Sequence, residues 1–314
     1  MSIPSALLRT AETQGGLLAA DQLAAAGVTS RVACRRADTG AWRRVTRGVY
    51  DVSPSARVDD PWEAGRRRAA WLGLLAYGRD AVAVGTSALT LHGVQGLPAQ
   101  VQPEAALPRA SDRVSRDGVR LRQFDAGMTT VVIDGRRVAS LVWALAQAVP
   151  ELPRHNALAV LDSALHRGLL EARDVERAHD LARGRRGVAA THALWGLADG
   201  RAESPLESFG RLDCVDAAVP PDTVQLPVLG PDGRVVARAD MGWRLGEGRW
   251  LVAEMDGRDV HAAPDAVYAD RTRQNRLVAS GSIEVLRFTG RDVPGGVGTA
   301  VASFLARRGR RPRG

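Results

Sequence analysis

The stretch "VARADMGWRLGEGRWLVAEMDG" constrains the fold of this chain more than any other. It reads as two strands in close succession, the first carrying Asp240 at its end and the second finishing on Glu254 and Asp256. Successive strand side chains point to opposite faces, so Glu254 and Asp256 share a face with Trp250 and Val252. If the two strands pair as a hairpin, Asp240 lies beside them. "DTVQLPVL" reads as a strand before this pair, joined to it by the turn "GPDG", and "SIEVLRFTG" as a fourth after it. Two helices interleave: "SPLESFGRLDCVDAA", capped by Ser204 with Pro205 in its first turn, and "PDAVYADRTRQNRLVASG", ending at Gly281. The order helix, three strands, helix, strand predicts an α/β region over 200–305.

A different pattern governs the N-terminus. Residues 4–14 carry a short helical period, "AADQLAAAG" a second helix with Asp21 placed as its cap and Gly27 at its end. "VTSRVACRRADTG" is a third, capped by Thr29 or Ser30 and closed by Gly40. "AWRRVTRGVYDV" then alternates like a strand or small hairpin. Three short helices followed by a basic ribbon predict a winged helix-turn-helix over 1–58. Its third helix and ribbon carry Arg31, Arg35, Arg36, Arg43, Arg44 and Arg47 against one acid, Asp38. In such a unit the helix enters the major groove and the wing rests on phosphate, so double-stranded DNA is the expected partner and paired half-sites would call for a homodimer. The same pattern also fits a small adaptor that docks on protein, with the arginines as a solvated face.

Between these regions, 59–199 reads as a mostly helical middle domain. It holds the amphipathic "WEAGRRRAAWLGLLAYG", strands near 101–107 and 118–124, and helices near 140–149, 155–168, 171–182 and 187–197. No catalytic constellation stands out there. His92 reads as a packed or capping residue, and His155, His166, His179 and His192 as single histidines on helices. The whole is an α+β multidomain chain.

Composition narrows the classes. All 43 basic residues are arginine, giving a net charge of +8. Guanidinium binds phosphate through two donors at once, so the surplus permits nucleic-acid binding. Residues 201–314 hold 17 Arg and 15 acids, but Arg307, Arg308, Arg310, Arg311 and Arg313 all fall in a basic tail, 306–314. The remaining 12 Arg against 15 acids make the region slightly acidic, which fits a cation among the carboxylates. No apolar run reaches the roughly 18–20 residues of a membrane helix. The first residues lack a secretory signal, and Cys34 and Cys214 lie too far apart to form a motif, so the expected setting is cytoplasmic and reducing.

Carboxylates held close together repel unless a cation neutralises them, and hard oxygen donors suit Mg²⁺ or Mn²⁺. Such an ion lowers the pKa of a bound water and offsets charge on a leaving oxygen, which is the chemistry of phosphodiester hydrolysis. The other reading of these acids is exposed strand ends paired with arginines.

The pieces "SPLES", "ARADMGW", "VAEMDGRDVH", "DRTRQNRL" and "EVLRFT", in that order, resemble the PD-(D/E)XK restriction-endonuclease fold, in its branch related to very-short-patch-repair endonucleases. That resemblance implies Asp240 as the central metal ligand, Glu254 as the acid completing the site, and Glu207 as a helical glutamate acting through the metal or its water. The lysine expected two residues after Glu254 is here Asp256, and the chain contains no lysine. The repair branch uses histidine nearby, which assigns His261 a general-base or water-positioning role and Asp256 that of a further ligand. Arg271 and Arg287 become phosphate contacts. The N-terminal half, through "LAADQLAAAGVTSRVACRRADTGAWRRVTRGVY" and "GTSALTLHGV", resembles the abortive-infection type IV antitoxin (AbiEi) family. That resemblance implies DNA binding, repression of the protein's own operon and a cognate toxin, although the antitoxin domain is replaced here by a different C-terminal region. The combined expectation is a DNA-binding protein with a metal-dependent endonuclease-like domain; the alternative is a non-catalytic regulator. RNA ranks last, because aromatic residues are only 4% of the chain and offer no stacking platform.

Overall fold

The computed structural model describes residues 4–52, 60–108, 112–229, 233–257 and 283–309. The protein is a mixed α+β molecule, with three separate sheets among the described residues. It divides into two compact units, one comprising Met1–Leu152 and Leu170–His192, the other Pro153–Leu169 and Ala193–Gly314.

The first unit opens with α1 (Ser5–Thr13), β1 (Leu17–Ala19), α2 (Ala20–Ala25), α3 (Ser30–Asp38), β2 (Arg43–Thr46) and β3 (Val49–Asp51). The three strands form an antiparallel sheet in the order β1-β3-β2, Leu18 opposite Tyr50. Strand β1, which sequence periodicity did not reveal, is only three residues long and fully buried, so it shows no alternation. The helices close over Leu7, Ala11, Leu18, Leu23, Val28, Ala33, Trp42, Tyr50 and Val52. Each large apolar side chain buried this way contributes roughly 1.5–3 kcal/mol. Asp21 does not cap α2: Ala19 holds the cap position, and the Gln22 side chain accepts the Ala19 N–H at 2.9 Å. Thr29 caps α3 by accepting the Val32 N–H at 3.4 Å.

The same unit continues through α4 (Pro61–Tyr77), β4 (Val82–Ala83), α5 (Gly85–Leu91), β5 (Glu104–Ala106), β6 (Arg120–Arg122), β7 (Thr130–Ile133), β8 (Arg136–Ala139) and α6 (Leu141–Ala148). After α7 (Arg154–His166), which belongs to the second unit, α8 (Ala172–Ala182) and the start of α9 (Val188–Leu197) complete it. Five short strands form a mixed sheet in the order β6-β5-β4-β8-β7. The β7–β8 hairpin, absent from the sequence reading, turns at Asp134-Gly135, both at positive φ (49° and 71°) as a type I′ turn requires. Arginines of this unit serve the fold. Arg113 donates to the Tyr77 carbonyl at 2.7 Å, Arg116 to that of Ala76, and Arg136 to that of Gly78 at 2.5 Å, placing three cations at the negative end of α4.

"GTSALTLHG" is a packing device. The Thr86 N–H and hydroxyl both donate to Glu104 at 2.7 and 2.9 Å, and Ser87 accepts the Glu104 N–H at 3.1 Å. Glu104 is buried and ion-paired with Arg122, and a Cβ on Gly85 would collide with its carboxylate. His92 follows as the residue after α5, its Nε2 2.8 Å from the Ala139 carbonyl.

The second unit joins α7 to α10 (Pro205–Asp216), β9 (Thr223–Leu229), β10 (Val235–Gly246), β11 (Arg249–Asp256), β12 (Ile283–Thr289) and α11 (Gly296–Arg307). The sheet order is β12-β11-β10-β9, antiparallel except for the parallel β11–β12 pair. Cys214, Met241, Trp243, Leu251, Ala253, Met255, Phe288, Val297, Val301 and Leu305 form its core. Helix α7 is tied to α10 by charge: Arg211 holds Asp162 through both carboxylate oxygens at 2.8 and 3.0 Å, and His155 Nε2 lies 2.7 Å from Asp213. His155 is therefore not a solitary histidine. The helix expected at 264–281 and the "GPDG" turn lie in or overlap segments outside the described residues. Among the described residues no helix is long and apolar enough to cross a membrane.

Candidate functional site

Strand alternation sorts the second unit's sheet into two faces. Met241 and Trp243 on β10, and Leu251, Ala253 and Met255 on β11, point into the core with α10 and α11. Asp240, Glu254 and Asp256, offset by one residue, therefore lie on the opposite face. The β10–β11 register runs to Met241↔Ala253, so the next positions along the ladder are Asp240 and Glu254. Beyond them the Asp240 carboxylate itself accepts the Met255 N–H, at 2.7 Å.

This corrects one expectation: Asp240 does not end its strand. It sits inside the twelve-residue β10, at the point where pairing with β11 stops. Glu254 is only 9% exposed and stands opposite Arg287 in the parallel ladder, whereas Asp256 is exposed and stands opposite Thr289. On the other side, β9–β10 pairs Leu226 with Ala239 and Val224 with Met241, which leaves Gln225 opposite Asp240. Gln225, Asp240, Glu254 and Arg287 thus occupy one row across all four strands.

Glu207, on α10, meets this row only at Gln225 among the contacts described. The Ser204 hydroxyl caps the helix by accepting the Glu207 N–H at 3.2 Å, which fixes that residue in the first turn. One oxygen of the Glu207 carboxylate accepts the Glu203 N–H at 2.9 Å and the Gln225 amide at 2.8 Å. Gln225 is the residue that sequence reasoning missed. It adopts φ 54°, in the left-handed region that a non-glycine residue in a strand rarely occupies, and such strain concentrates at functional sites. Its only sequence signal is a polar amide inside the otherwise apolar run "TVQLPVL".

The expected ligand set is therefore gathered in part. Asp240 and Glu254 are neighbours, Glu207 is linked to their row through Gln225, and Asp256 lies further along on the same face. His261 and Arg271 lie outside the described residues. Among the described residues no group of three or more His, Cys, Asp or Glu side chains is arranged to hold a metal ion. The oxygen donors nonetheless fit Mg²⁺, which keeps several waters and takes one or two carboxylates from protein.

In the first unit, α3 exposes Arg31 and Arg35, and β2 with its following turn exposes Arg43, Arg44 and Arg47. Among the described residues no ion pair takes Arg31, Arg35, Arg44 or Arg47. Arg43 pairs with Asp51 at 3.3 Å. Arg36 is half-buried, its guanidinium 5.0 Å from the centre of the Trp42 ring, where it helps close the small core. The turn is anchored by Asp117, which accepts the Thr46 hydroxyl at 2.6 Å and the Arg47 N–H at 3.4 Å. Those two hydrogen bonds hold the Asp117 carboxyl below the usual range.

Comparison with known proteins adds two relatives. The chain is 33% identical over 177 residues to "Uncharacterized protein MT2308" of Mycobacterium tuberculosis strain CDC 1551 / Oshkosh. It matches "Uncharacterized protein Rv2248" of strain ATCC 25618 / H37Rv to the same extent. Each alignment covers 56% of this chain and 64% of the relative's length. No protein-family model matches the chain.

Proposed function

We propose that this protein binds double-stranded DNA through the arginines of α3 and β2, in the manner of a winged helix, and carries a restriction-endonuclease-like site on the β10–β11 sheet. The observation that carries the reading is the juxtaposition of Asp240 and Glu254 across adjacent strands, with Glu207 held towards their row by Gln225. Asp240 and Glu254 would hold Mg²⁺ or Mn²⁺, whose chemistry there is to lower the pKa of a bound water and offset charge on the leaving oxygen. Asp240 is oriented for this by the Met255 N–H, which occupies one carboxylate oxygen. Gln225 and the Glu203 N–H likewise fix one oxygen of Glu207. Arg287, beside Glu254 in register, would contact a phosphate.

A plasmid-nicking assay in Mg²⁺ and then Mn²⁺ tests this, comparing wild type with Asp240→Asn, which keeps an oxygen to accept the Met255 N–H. Metal-dependent nicking should appear in wild type and fall by at least about a hundredfold in the variant, the loss of a metal ligand removing several kcal/mol of charge stabilisation. Equal activity in both would place the chemistry elsewhere.

One observation favours a second reading, a non-catalytic regulator of the AbiEi type. The position two residues after Glu254 holds Asp256, and the chain has no lysine to supply the missing cation. That reading predicts a footprint at the protein's own promoter, a homodimer on paired half-sites, a cognate toxin as partner and no cleavage in either metal.

A further inference from the structure

His179 on α8 and His192 on α9 meet at the surface of the first unit. His179 Nε2 and His192 Nδ1 are 3.0 Å apart, with ring centres 4.8 Å apart and planes tilted by 50°. His192 is exposed and His179 half-buried. In the free protein one N–H must lie between the two nitrogens. The same separation is the bite of a chelate: at metal–nitrogen distances of about 2.0–2.1 Å, cis ligands on a tetrahedral or octahedral ion sit about 2.9–3.4 Å apart.

We propose that His179 and His192 form a two-imidazole site for a late first-row divalent cation of the Zn²⁺ or Ni²⁺ class, with water completing the shell. His179 would bind through Nε2 and His192 through Nδ1. The proton they share moves to the far nitrogen of the ring that carried it, so both imidazoles bind neutral and no net proton is lost. Imidazole prefers these ions to Mg²⁺, which keeps this site separate from the carboxylates of the second unit. The surroundings favour the neutral ligand form: burial, His192 and Arg183 together hold the His179 pKa below its ordinary value, against Asp180. Asp180 and Arg183 pair with each other at 2.7 Å, so their opposite charges beside the rings largely offset. Because the ligands come from two helices, an ion would brace α8 against α9, and binding confined to the folded state raises the unfolding temperature.

The test uses untagged, chelator-treated protein, titrated calorimetrically with Zn²⁺ and with Ni²⁺ at pH 7.5 and melted with and without each metal. His179→Gln and His192→Gln serve as variants, since glutamine retains a side chain able to hydrogen-bond across the helices. Wild type should bind one more equivalent than either variant, and its metal-dependent rise in Tm should be lost in both. Equal stoichiometry and equal Tm shifts in all three proteins would overturn the site, as would wild type that binds neither ion.

Discussion

Two cysteines show what environment does to one chemical group. Cys34 is exposed on α3, its thiol 3.7 Å from the Tyr50 hydroxyl. Cys214 is fully buried in the second unit's core, and burial, reinforced by Asp213, pushes its thiol up to about 12. Since only the thiolate is nucleophilic, Cys214 should be inert at pH 8. Iodoacetamide should label one thiol per native chain, Cys34 by peptide mapping, and two after denaturation; labelling of Cys214 in native protein would mean that this core opens. Gln225 makes a similar point. A neutral amide at a strained φ became a site residue only when the register set it opposite Asp240.

At the scale of elements, close approach and capping decide stability. Helix α11 crosses α10 at Gly298, where a Cβ would collide with the Asp213 carbonyl and come within 2.9 Å of the Ala217 Cβ. Gly298→Ala should destabilise the second unit by about 1–3 kcal/mol, the usual cost of overpacking, read as a lower denaturation midpoint with unchanged slope. The residue after α5 gives a pH dependence. Burial lowers the His92 pKa below its ordinary value, against the opposing hydrogen bond to the Ala139 carbonyl. Below about pH 6.5 the unfolded chain therefore takes up a proton before the folded one, and stability is lost as pH falls. The loss from this group cannot exceed about 1.4 kcal/mol per pH unit. Chemical denaturation of wild type and His92→Gln at pH 7.5 and 5.5 should show the smaller acid loss in the variant; parallel losses would mean that His92 protonates equally in both states.

For the whole molecule, charge distribution matters more than its total. The net charge of +8 is spread over arginines with quite different tasks. Arg113, Arg116 and Arg136 cap α4, Arg122 pairs with Glu104, and Arg211 with Asp162. The α3–β2 group presents Arg31, Arg35, Arg44 and Arg47 to solvent with no ion pair among the described residues. On the proposed reading, double-stranded DNA binding should weaken with salt, and each of Arg31→Ala, Arg35→Ala, Arg44→Ala and Arg47→Ala that removes a phosphate contact should lower the log–log slope by about 0.9. Fluorescence anisotropy across a salt series measures it. Arg36→Ala should instead lower the stability of the small N-terminal core, since that guanidinium lies over Trp42.

Much of this organisation was legible beforehand. Helices α3, α6, α7, α8 and α10 and strands β9 to β12 fall where periodicity and caps put them, because each buries a continuous apolar stripe or ends on a recognisable signal such as Ser204-Pro205. The pairing of β10 with β11, and with it the nearness of Asp240 to Glu254, followed from two strands in close succession. Short, wholly buried or weakly alternating pieces were not legible: β1, the β7–β8 hairpin, and the cap of α2. Nor could the sequence tell which partner each histidine or arginine would take. Those choices depend on which helices and strands lie side by side, and α7 joining α10 across some fifty residues of chain is set by the buried Asp162–Arg211 pair rather than by any local pattern. Local sequence determined the elements and the face on which each carboxylate stands, because the side-chain period of a strand is fixed by its backbone. Tertiary structure alone decided that Gln225 would hold Glu207, that His179 would meet His192, and which arginines remained for solvent, because those contacts exist only once distant segments have packed.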